Sequence, residues 1–161
     1  MSVTIGSTPS SPWLLLVTTT CNALDQLLQI LLHEQNLLTH NQIDQLAGVS
    51  LRKQQAANEA EAAGEQLQLA LQHAGVTPGT DVTVWFEQHA PEALETWQLL
   101  RETARQAELY NRSNGLLIET RRQLLDQFVS QLASARGDAL SYSAKGRLTA
   151  GGSGSLSRDK I

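Results

Sequence analysis

Residues 97–132 read WQLLRETARQAELYNRSNGLLIETRRQLLDQFVSQL, and their spacing decides the fold. Trp97, Leu100, Ala104, Ala107, Asn111, Asn114, Ile118, Arg121, Leu125, Phe128 and Leu132 follow one another in unbroken steps of three and four. With 3.6 residues per turn, such positions fall on one face, the seam along which a helix packs against other helices. Pro91 suits a first helical position, Glu92 and Glu95 suit the positive end of a helix, and Arg136-Gly137 makes a sensible stop. The spacing predicts a helix over residues 91–136.

Working back toward the N-terminus, Ser11-Pro12 reads as a helix start, a capping serine followed by proline. Val17, Cys21, Leu24, Leu28, Leu31 and Leu38 continue the three–four pattern, with Gln35 in the one polar slot. A first helix over about 12–47 is predicted, stopping at Gly48. Ser50 is placed to cap a second helix over 51–74, whose Ala56, Ala60, Ala63 and Ala70 let a partner approach closely, with Gly75 as its end. Thr77-Pro78-Gly79-Thr80 is a loop. Val82, Trp85 and Phe86 on one side of residues 81–89 predict a short amphipathic helix that lids the bundle. The domain reading is therefore a helical bundle over 1–137 and a flexible C-terminal tail over 138–161. That tail holds one apolar cluster, Leu140, Tyr142 and Leu148, ahead of a glycine-serine stretch.

Composition agrees with an all-α class. Hydrophobic residues make up 41%, enough for a core, while aromatics are 4% and strand formers are scarce beside Leu, Ala and Gln. The formal net charge of −4 and the absence of a Lys/Arg cluster argue against a nucleic-acid partner, which needs a basic face. Cys21 is the single cysteine, so no internal disulfide is available and a reducing compartment is expected. Residues 1–12 carry no Lys or Arg, so the basic start of a secretory signal is missing. No apolar run is read as approaching the ~20 residues that span a bilayer. The expected address is the cytoplasm, without membrane insertion.

Candidates for chemistry are few. His33, His40, His73 and His89 have no second histidine four residues away and no ligand-spaced Cys or carboxylate, so neither a metal nor any other cofactor is expected. A histidine phosphotransfer module remains an alternative on fold grounds, but Glu34-Gln35-Asn36 and Asn41-Gln42-Ile43 follow the two candidate histidines where such modules carry a basic residue and a glycine. A generic coiled-coil adaptor is the other alternative. Glu-x-x-His pairs and phosphate-binding glycine loops are not found, and no enzyme activity is expected. Asn111, Asn114 and Gly115 are the informative residues. Polar seam positions and a mid-helix glycine cost stability. Either they fix helix register and admit a close crossing, or they border a groove where another helix docks.

Asn111-Arg112-Ser113-Asn114-Gly115-Leu116-Leu117-Ile118 resembles the N-x-x-N-G-x-x-I element in the final helix of the FlgN family of flagellar type III export chaperones. The Leu24-Asp25 and Leu27-Leu28 positions of the first helix, and Leu140, Tyr142 and Gly146 in the tail, fit the same family layout. Ser143 departs from it, standing where a glycine is common. The resemblance implies an elongated bundle of antiparallel, left-twisted helices, a coiled-coil hairpin with a flexible tail. It also implies a cytoplasmic, non-enzymatic chaperone of the flagellum assembly pathway. Its partners would be the amphipathic terminal helices of hook–filament junction proteins, kept from premature assembly, and the flagellar export apparatus. Leu140, Tyr142, Gly146 and Leu148 would contact the client, and Asn111, Asn114, Gly115 and Ile118 would form the seam or groove. Whether the free chain forms a homodimer is left open.

Overall fold

The structure, a computed structural model, describes residues 11–148, with side chains as far as Ser134. Among the described residues every regular element is helical. These are α1 (Pro12–Thr39), a 3₁₀ turn (Ile43–Gln45), α2 (Leu46–His73), α3 (Val82–His89), a second 3₁₀ turn (Pro91–Ala93) and α4 (Leu94–Leu148). The chain divides into two compact units, residues 1–117 and 118–161.

In the first unit, α1 begins at Pro12 as expected, but Ser11 makes no capping bond to the helix backbone. Its side chain is instead hydrogen-bonded to Glu92, which holds that carboxyl below its ordinary range. The first helix stops at Thr39 rather than 47, for a reason that lies in Asn41. Its φ of 58° is left-handed. Gln42 N–H then donates to Leu37 C=O at 2.9 Å and Asn41 N–H to Leu38 C=O at 3.4 Å, the paired bonds that close a helix C-terminus. Asparagine tolerates this conformation better than most residues. Gly48 is left free to join α2, which starts at Leu46, and Ser50 lies inside that helix rather than capping it. The second helix ends in the same way, with Gly75 at φ 87° and Val76 N–H donating to Leu71 C=O at 3.0 Å.

Cross-helix bonds give the direction of each helix. Thr20 Oγ1 donates to Ala63 C=O, and Lys53 Nζ to Glu34. As numbers rise along α1 they fall along α2, so the pair is antiparallel. Cys21 packs in one buried cluster with Leu100, and Leu31 C=O accepts from Asn114. Numbers rise together here, so this part of α4 runs parallel to α1. The unit is an up–down–up arrangement, and α3 spans the turn between α2 and α4. Asp81 Oδ1 caps α3 by accepting from Thr83 N–H at 2.9 Å.

Two apolar layers result. The larger gathers Val17, Cys21, Leu67, Leu71, Phe86 and Leu100, with Trp13, Trp85 and Trp97 packed against it. Phe86 is fully buried, which makes α3 the lid expected from sequence and contributes on the order of 2–3 kcal/mol. Edge-to-face contacts link Trp13 to Trp85 at 4.9 Å and Trp85 to Phe86 at 5.3 Å. The smaller layer is Leu28, Leu31 and Ala107.

By length and composition α1 is apolar enough to cross a membrane, which corrects the expectation that no run approaches that size. Here its buried positions, Val17, Leu28, Leu31, Leu37 and Leu38, serve the bundle, together with buried Glu34.

α4 does not stop at Arg136-Gly137 but runs to Leu148. No proline interrupts residues 133–148, and Ala, Leu, Arg and Lys around Gly137 offset the roughly 1 kcal/mol that a glycine costs in a helix. The expected tail is thus helical backbone over 138–148, while 149–161 lie outside the described residues.

Candidate functional site

Just beyond the smaller apolar layer, three helices meet in a polar one. Glu34 on α1 and Asn114 on α4 are 3% and 0% exposed. Lys53 on α2 reaches in from the surface, its Nζ donating to Glu34 Oε1 at 2.7 Å. Asn114 Nδ2 donates both to Glu34 Oε2 at 2.9 Å and to Leu31 C=O at 2.8 Å. Because both partners are acceptors, they fix which way the amide points. Asn114 Oδ1 has no hydrogen-bond partner among the described residues. Gln35 Nε2 donates to Ser113 Oγ at 3.4 Å beside this layer.

The two asparagines expected to act together do different things. Asn114 is buried and hydrogen-bonded across to α1. Asn111 is exposed and lines a cleft of about 480 Å³, whose walls include Leu24, Leu31, Ala57 and Ala107 and whose rim includes Lys53. Gly115 does not admit a close crossing, since a Cβ built there would meet nothing within 4 Å. Glu34 was not legible as a site residue. Leu31, Glu34 and Leu38 are spaced three then four, while Leu31, Gln35 and Leu38 are spaced four then three, so the seam alone cannot choose between them. The missed signal is the pairing of an acid on the first helix with Lys53 on the second.

In the second unit the described side chains form an apolar face. Ile118, Leu124, Leu125, Phe128, Val129 and Leu132 are each between 42% and 63% exposed. Ile118, Leu125, Phe128 and Leu132 belong to the three–four series that, earlier in α4, buries Leu100, Ala107 and Asn114, and Leu124 and Val129 flank it. Glu119 and Arg122 pair at 3.1 Å along the same segment, and the guanidinium holds the Glu119 carboxyl below its ordinary range. Leu140, Tyr142, Gly146 and Leu148 occupy helical backbone positions in α4, and their side chains lie outside the described residues.

The remaining candidates stay apart. His33 and His40 are both exposed, and His40 Nδ1 is tied to Asn36 C=O at 2.9 Å. Among the described residues no group of three or more His, Cys, Asp or Glu is placed to hold a metal ion. Burial pushes the Cys21 thiol above its ordinary range, aided by the charge of Asp25.

Fold and surface together define an all-α helical-bundle protein with an apolar helix face left uncovered among its described residues. Residues 15–150 match the family model described as FlgN protein, and the chain belongs to the FlgN family. FlgN is a family of flagellar export chaperones, not of enzymes, whose members bind hook-associated proteins. No curated protein and no solved structure matches the chain.

Proposed function

We propose that this chain works in the cytoplasm as a chaperone for hook–filament junction proteins, covering their amphipathic terminal helices until the export apparatus takes them. The observation that carries this reading is the apolar face of residues 118–132, with Phe128 59% exposed among Leu124, Leu125, Val129 and Leu132. Such a face is costly to leave in water and suits an amphipathic helix that offers its own three–four stripe. A client so covered keeps its assembly surface hidden. Leu140, Tyr142, Gly146 and Leu148 extend the contact further along α4. A free chain would pair with a second copy through the same face, so client binding would displace that copy.

Titration calorimetry with a peptide spanning the terminal helix of a hook-associated protein tests this. Phe128→Asp with Leu132→Asp is expected to weaken binding tenfold or more, about 1.4 kcal/mol. Ending the chain after Arg136 is expected to do the same. Unchanged affinity in the double variant would move the docking site off α4.

A further inference from the structure

Asn114-Gly115 is the sole Asn-Gly pair in the chain. Such a pair carries its own chemistry. The backbone nitrogen of the glycine, unhindered by a following side chain, attacks Cγ of the asparagine. A C–N bond forms, the Cγ–Nδ2 bond breaks, and ammonia leaves from a five-membered imide. Water then opens the ring at either carbonyl, leaving aspartate or isoaspartate. The attack requires a backbone turned out of the helical ψ at the asparagine, a glycine N–H released from hydrogen bonding, and a mobile side-chain amide.

The structure withholds all three. Both residues lie inside α4, where ψ is near −42° and each N–H is committed to the carbonyl four residues back. Asn114 is 0% exposed, and its Nδ2 is held by Leu31 C=O and Glu34 Oε2. Packing does not require glycine at 115, because a Cβ there would stand in open space. The pair is therefore reactive by sequence and closed by fold.

We infer that Asn114-Gly115 is a modification site, deamidated when α4 releases α1 and unwinds around the pair, and protected while the two helices are packed. The change runs one way. Nδ2, which donates twice, becomes a carboxylate oxygen facing a carbonyl and the Glu34 carboxylate, and Lys53 then faces two acids. Isoaspartate also lengthens the backbone by one methylene and breaks the helical ladder. A chain that has opened and reacted cannot restore the polar layer.

The test is to hold the full chain in mildly alkaline buffer, native in one arm and denatured in the other, and to follow Asn114 by peptide mass spectrometry. The native arm is expected to react at least about a hundredfold more slowly, equivalent to ~2.8 kcal/mol of opening. Equal rates in the two arms would overturn the proposal. In the denatured arm Asn111, followed by arginine, is the internal control, and faster change there than at Asn114 counts against it. Gly115→Ala is expected to slow the denatured reaction, and no slowing would mean that another residue carries the change. Asn114→Asp reproduces one product. It is expected to melt well below the parent or fail to fold, and a melting temperature equal to the parent's would remove the one-way consequence.

Discussion

Asn114 on α4 and Glu34 on α1, eighty residues apart in the chain, share a hydrogen bond of 2.9 Å at a site closed to water. A polar seam residue taken alone invites replacement by leucine. With a buried carboxylate behind it, the expected direction reverses. Asn114→Leu removes a donor from Glu34 and another from Leu31 C=O, so a loss of about 1–3 kcal/mol is expected. Asn111→Leu, on the exposed side, is expected to stay within about 0.5 kcal/mol of the parent. Urea unfolding of the two single variants checks the contrast, and equal losses would mean that Asn114 is not the register element.

Lys53→Met leaves Glu34 without its cation, and a loss of roughly 2 kcal/mol is expected, below the 3–5 of a wholly buried pair because Lys53 is 26% exposed. Removing all three polar groups at once, as Glu34→Leu, Lys53→Met and Asn114→Leu, is expected to recover most of that loss. The triple variant then reads out specificity: light scattering should show more than one oligomeric state if the layer sets register.

The same substitution is expected to act with opposite sign at two glycines of the second helix. Gly64 lies inside α2 with open space around it, so Gly64→Ala is expected to stabilise by about 1 kcal/mol. Gly75 ends that helix at φ 87°, and Gly75→Ala is expected to cost about 1–2 kcal/mol. Thermal melts of the two variants should move in opposite directions.

Glu102 gives a pH signature. Hydrogen bonds from Arg105 and then Gln106 pull its carboxyl from the ordinary 4.5 to about 2. A depressed folded value means the favourable contribution is present above the unfolded value and lost as pH falls from there through about 2. A carbon-detected NMR titration should place the midpoint near the lower value, and Arg105→Gln should return it toward the ordinary one. No movement in that variant would dismiss the pairing.

Much of this architecture was legible from spacing, because Leu100, Ala107, Asn114 and their counterparts on α1 bury themselves by the same three–four rule that reveals them. The short α3 was legible because Trp85 and Phe86 adjoin a clear loop. Helix ends were less so. Asn41 and Gly48 are both acceptable terminators, and the choice depends on which backbone closes over Leu37, a tertiary outcome that no local signal contains. At the polar layer Asn114 stood out by its residue type, whereas Glu34 looked like one more helix-surface acid. Its burial depends on Lys53 arriving from α2, and only the folded pairing shows that. Gly115 was legible as unusual but not as uncrowded, since open space is a property of neighbours rather than of sequence.

The aromatic cluster has a spectroscopic consequence. Trp13, Trp85 and Trp97 account for every indole in the chain, and all three pack on the layer around Phe86. Intrinsic emission is therefore a local reporter of α3 seated on α1 and the start of α4. Residues 98–161 contribute no indole signal of their own, so an unfolding curve followed by tryptophan can end before the polar layer at Asn114 has been heard from. Following that layer, or the face around Phe128, by light calls for a new chromophore placed there, with the three native tryptophans exchanged for phenylalanine to leave a dark background.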